Sequence, residues 1–108
     1  MKRGKEMNDK YILDDKGNPI SEPDVLKWGR WFEKAERHIG STIIGDVHIS
    51  TVFLGIDHGF EAERGNPVLW ETMVFGGNLD REMERYTSLK DAKEGHQQMV
   101  DKVKQSVV

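Results

Sequence analysis

Apolar residues recur at two different periods along this chain, and the switch between them lays out its elements. Val25, Trp28, Phe32, Ala35 and Ile39 fall at helical spacing and predict an amphipathic first helix. Ser21 followed by Asp24 is an acidic variant of the capping box, and Pro23 suits a first turn. Gly40 stands where a left-handed carboxyl cap is expected. Gly29 lies inside the helix, where it costs about 1 kcal/mol relative to Ala and points to a close packing contact. Trp31 falls off the stripe, so it either covers a second face or is presented to a partner.

Beyond this helix the period becomes two. Over residues 46–54, Val47, Ile49, Thr51 and Phe53 take one face of a strand and His48, Ser50, Val52 and Leu54 the other. Residues 68–75 form a second strand, apolar on both faces apart from Glu71 and Thr72, which calls for cover on both sides from helices or another subunit. Gly76, Gly77 and Asn78 end it. Residues 81–86 read as a third, more polar edge strand, with a helical turn as the alternative. Ser88 caps a last helix, Ala92, His96, Met99, Val100 and Val103 line its buried side, and Gly95 allows a close approach. Near the amino terminus, 11–13 and Ile20 flank a turn-rich segment and suggest a small hairpin.

The predicted fold is α+β: a small antiparallel sheet of two to four strands packed with an N-terminal and a C-terminal helix. It occupies residues 11–108 as one domain. Residues 1–10, with Lys2, Arg3, Lys5 and Lys10, read as a flexible basic tail.

Composition narrows the setting. Of 108 residues only 36% are hydrophobic and 32% are charged, so the core is small and an oligomer interface would add to it. A net charge of −3 argues against a general nucleic-acid binder. The absence of cysteine excludes disulfides, thiolate zinc sites and a cysteine nucleophile. Apolar runs fall far short of the ~18 residues of a membrane span, and no signal-peptide core follows the first Met. A cytoplasmic protein without a membrane partner is expected.

The segments STVFLGIDHGF, PVLWETMVFGG and ERYTSLKDAKEGH, with YILDDKGNPISEPDVLKWGRWFE upstream, resemble a family of small proteins encoded by bacteriophages and prophages. The resemblance implies a viral origin and an accessory role in the host cell. It brings no catalytic residues with it.

Candidate chemistry centres on the strand–loop–strand region. Asp57 and His58 pair a carboxylate with an imidazole at a strand end, and His48, Glu71 or His96 could complete a divalent-metal set. The spacing matches no recognised metal motif, and Asp57 has a plainer role in accepting backbone hydrogen bonds. Glu71 is costly to bury in an apolar strand without a partner, and Arg64, Arg85 and His96 are the natural ones. His96 itself reads as a packed histidine bonded to a carbonyl or a carboxylate. The glycine pair 76–77 lacks a phosphate-loop signature, and no Ser/His/Asp arrangement can be built. No catalytic residue, metal or cofactor is therefore assigned.

The resemblance, the small size and the lack of a catalytic constellation lead to an expected function of binding a host component. The target is a host protein gripped through Trp31 and the exposed edge, or a small anionic ligand such as a nucleotide signal. His48, His58, Arg64, Glu71 and Arg85 form the expected binding set, in a homo-oligomer. The alternative is a metal-dependent hydrolase using Asp57, His58 and Glu71.

Overall fold

The computed structural model describes residues 8–59 and 66–106. Its elements run β1 (Tyr11–Leu13), β2 (Pro19–Ser21), α1 (Val25–Lys34), β3 (His38–Ile44), β4 (Val47–Phe53), β5 (Trp70–Phe75), β6 (Met83–Tyr86) and α2 (Leu89–Ser106). β1 and β2 pair as a hairpin, and β3-β4-β5-β6 form a four-stranded antiparallel sheet in chain order. The fold is α+β, as the two periods predict.

The hairpin closes where turn formers are densest. The Asp14 carboxylate accepts the amides of Lys16 and Asn18 at 2.9 and 2.8 Å, and Gly17 takes the positive φ of 86° that the turn needs. The expected basic tail is only partly covered by the described residues. Those that are covered are tied down: Lys10 bridges Ile56, and the Asn8 side chain bonds the Lys10 carbonyl and the Ser21 hydroxyl.

α1 departs from its expected bounds at both ends. Asp24, not Ser21, is the N-cap, accepting from Leu26 and Lys27 at 3.0 and 3.2 Å, while Ser21 belongs to β2 and Pro23 precedes the cap. The helix stops at Lys34, and Ala35 turns extended with φ −77° and ψ 146°. Gly40 is therefore no helix cap. It lies within β3, a strand the helical stripe concealed because Ile39 happened to continue the spacing. The β-branched run Thr42, Ile43, Ile44 prefers a pleated surface, and β4 supplies its ladder partners.

α1 docks through two tryptophans. Trp28 donates Nε1–H to the carbonyls of Tyr11 and Gly55, and stacks on Phe32 at 4.8 Å between centroids. A side chain at Gly55 would meet that Phe32 ring at 2.9 Å. Trp31 sets its edge on Phe53 at 5.8 Å and so covers the core as a half-buried residue. The outer helix face stays bare, with Val25 55% and Leu26 68% exposed. Nothing lies within 4 Å of a Cβ built at Gly29, so the expected close contact is absent there.

α2 covers one face of the four-stranded sheet. Ser88 Oγ accepts the Asp91 amide at 3.0 Å as its cap. Met99, Val100 and Val103 pack with Val47, Ile49 and Val74 in one apolar cluster. Ala92 joins Phe53, Leu69 and Trp70 in a second, which Tyr11, Leu13, Trp31, Ile39, Tyr86 and Leu89 surround. No helix among the described residues is long and apolar enough to cross a membrane.

Candidate functional site

Strand alternation sends each residue type to its own side. Val47, Ile49, Thr51 and Phe53 point under α2, so His48, Ser50 and Val52 point the other way. The register continues this division across the sheet. One row on the far side holds Ile43, His48 and Phe75; the next holds Ser41, Ser50, Met73 and Met83; the third holds His38, Val52, Glu71 and Arg85.

No described element covers this far face. Ile43 is 72%, Phe75 48% and Met83 39% exposed. β5 is thus apolar on both faces but covered on one, and the cover expected on the second is not supplied by the chain's own helices. The middle of the face carries Met73 and Val52, and polar groups sit around them.

Three of the five expected binding residues lie on this face. Glu71 and Arg85 stand directly opposite on neighbouring strands, and Arg85 Nε donates to Glu71 Oε2 at 3.0 Å. That ion pair, with Glu71 side chain 16% and Arg85 38% exposed, explains how a carboxylate persists in the apolar strand. His96 is not its partner, for it belongs to the opposite face. His48 shares a hydrogen bond of 2.8 Å with Ser41 Oγ, its ring tilted against Phe75 at 6.1 Å.

The other two lie elsewhere. His58 is exposed past the end of β4, and its Nδ1–H donates to the Ile56 carbonyl at 2.7 Å. Arg64 lies outside the described residues. Asp57 Oδ1 accepts the amides of Gly59 and Val68, both at 2.8 Å, and so closes the base of the intervening loop. Among the described residues no three His, Asp or Glu side chains converge as metal ligands, so Asp57, His58 and Glu71 are not brought together as a metal set.

A second polar assembly, not anticipated from the sequence, lies under α2 between the two apolar clusters. Tyr86 donates its hydroxyl to Thr72 Oγ1 at 3.0 Å; Thr72 meets Thr51 Oγ1; Thr51 meets His96 Nδ1 at 2.7 Å; His96 Nε2 meets Thr42 Oγ1 at 2.9 Å. Tyr86 donates to Thr72, either threonine can donate in the Thr51–Thr72 pair, and the neutral His96 ring donates through one nitrogen and accepts at the other. Burial, helped by the neighbouring charge of His48, holds His96 below the usual imidazole range. Burial also pushes the Tyr86 phenol upward.

Two glycines make room for this layer. A Cβ at Gly40 would meet the His96 ring at 3.0 Å, and one at Gly95 would overlap the Tyr86 ring. Alternating strand faces and the α2 stripe together were enough to place Thr51, Thr72 and His96 side by side. The remaining signal, the pairing of β3 with β4, was hidden because the α1 stripe ran on past Lys34 to Ile39.

A shallow groove of about 330 Å³ runs between β6 and α2, lined by Glu84, Tyr86, Gly95, Gln98, Met99 and Lys102. It mixes one acid with one base and gathers no converging polar set. The uncovered face is the stronger candidate, because exposed apolar rows on a rigid sheet are costly to leave in water.

Compared with protein-family models, curated proteins and solved structures, the chain matches none. What it does must be argued from the face itself.

Proposed function

We propose that this chain is a small, non-enzymatic accessory protein of a bacteriophage that binds a host protein in the host cytoplasm through the uncovered sheet face. One observation carries the reading: Ile43, Phe75 and Met83 stand exposed beside Met73 and Val52 on a face that no described element covers. Covering the exposed part of such side chains favours association in proportion to the apolar area removed from water. Three such anchors with a polar rim match the anatomy of a protein interface. The viral setting is supported by the sequence resemblance.

A small anionic ligand fits this face less well. Arg85 is already neutralised by Glu71, and His48 is the other basic group near the centre. A protein partner needs no free cation there.

The test compares wild-type protein with a Met73→Lys/Phe75→Lys variant as bait in extract of the bacterial host. A Lys93→Ala variant on the outer side of α2 serves as control. The reading expects one host protein retained by wild type and control and lost by the face variant. Retention of the same proteins by all three baits contradicts it. Thermal melts with a nucleotide panel run alongside, and a rise in Tm would move the assignment to an anionic ligand.

A further inference from the structure

The two edges of the four-stranded sheet are built differently. β6, at one edge, is short and carries Glu84 and Arg85, both exposed, which is a usual defence against strand addition. β3, at the other edge, runs seven residues with the sequence HIGSTII and has neither proline nor a formally charged Asp, Glu, Lys or Arg. Among the described residues nothing pairs with its outer side.

The backbone direction on that edge follows from the turn. Ile44 pairs with Val47 across the two-residue loop Gly45-Asp46, and of these two only Gly45 has positive φ, 60°, as a type II′ turn requires. A closing pair of this kind exchanges both hydrogen bonds, so Ile44, Thr42 and Gly40 spend their backbone groups on β4. The Phe53 amide bonding the Arg37 carbonyl at 2.8 Å keeps the same parity beyond the bulge at Ile39. Ser41 and Ile43 therefore turn their N–H and C=O groups outward, unpaired.

We infer that β3 pairs antiparallel with β3 of a second copy about a two-fold axis at Thr42, joining two sheets into one of eight strands. In this register Ser41 of each copy faces Ile43 of the other as a doubly hydrogen-bonded pair, and Thr42 faces Thr42. Shifting the axis by one residue would demand ladder bonds from the bulge at Ile39 or from the turn at Gly45. A strand without formal charges is compatible with its own copy, since self-pairing places no like charges in opposition. The protected β6 edge stops further addition, so the assembly closes as a dimer and does not grow into a fibre.

Pairing also covers part of Ile43 and makes the uncovered faces of the two copies continuous at the seam. The dimer stands independently of what occupies that face.

The test measures mass by light scattering across a concentration series, with amide hydrogen exchange on the same samples. Wild type is expected to approach twice the 12.4 kDa of the chain, with the Ser41 and Ile43 amides protected. Ile43→Pro removes an outward N–H that the monomer leaves unpaired, and should give a monomer with unchanged far-ultraviolet circular dichroism. Ser41→Lys/Ile43→Lys places four ammonium groups along the seam and should do the same even if the proline variant fails to fold. A wild type that stays monomeric into the millimolar range overturns the inference. So does a dimer whose Ser41 and Ile43 amides exchange freely, or one that survives the double-lysine change.

Discussion

Gly29 and Gly95 both sit inside helices, and their surroundings give the same substitution opposite signs. Ala in place of Gly favours a helix interior by about 1 kcal/mol. At Gly29 nothing opposes that gain, so Gly29→Ala should raise Tm. At Gly95 the new methyl would strike the Tyr86 ring, and Gly95→Ala should lower Tm despite its better propensity. Thermal melts of the two variants check both signs. Thr51→Val removes the group that serves His96 Nδ1 and Thr72 together, and leaving buried polar atoms unpaired costs about 1–3 kcal/mol. Urea unfolding reads that loss directly. His96 adds a pH dependence. Its folded pKa lies below the unfolded value of about 6.5, so its contribution is complete above that pH and declines as pH falls through it. Stability should therefore drop from about pH 7 to about pH 5 in wild type, and less steeply in His96→Gln. A wild-type curve that rises on acidification over this range contradicts the assignment.

At the scale of elements, β4 and α2 were plain in the amino-acid pattern because each keeps one period throughout, and β5 because its apolar run ends on the glycine pair 76–77. β3 was not. Its residues HIGSTII show no alternation, and Ile39 extends the stripe of α1 by coincidence, so local spacing favoured helix where the β4 partner decided for strand. The partner of Glu71 was half legible. Arg85 was among the candidates, but the exclusion of His96 needed the rule that Glu71 must face away from Thr72 and hence from α2. Because the Glu71–Arg85 pair is partly exposed, its coupling should be modest. A double-mutant cycle of Glu71→Gln and Arg85→Gln is expected to give no more than about 1 kcal/mol, less in high salt. A coupling several times larger would mean that the pair is buried in solution by something the isolated chain lacks.

At the scale of the molecule, the described elements cover the sheet on one side only. α2 and the polar layer beneath it fix the sheet rigidly, and the reverse side presents aliphatic, aromatic and thioether groups around His48 and the Glu71–Arg85 pair. The sequence hinted at this through a strand apolar on both faces, yet could not say which face stayed bare. That depends on the single crossing of α2. The open edge at β3 adds a second unsatisfied surface at right angles to the first. The bare face and the open edge are the two surfaces of the sheet that the described elements leave without cover.

The bare face is the proposed working surface. A photoreactive benzoylphenylalanine placed at Phe75, with a second at Lys93 on the outer side of α2 as control, tests it inside host cells expressing the protein. Irradiation should give one discrete host-protein adduct from position 75 and none from position 93. No adduct at 75, or the same adduct from both positions, would contradict the account.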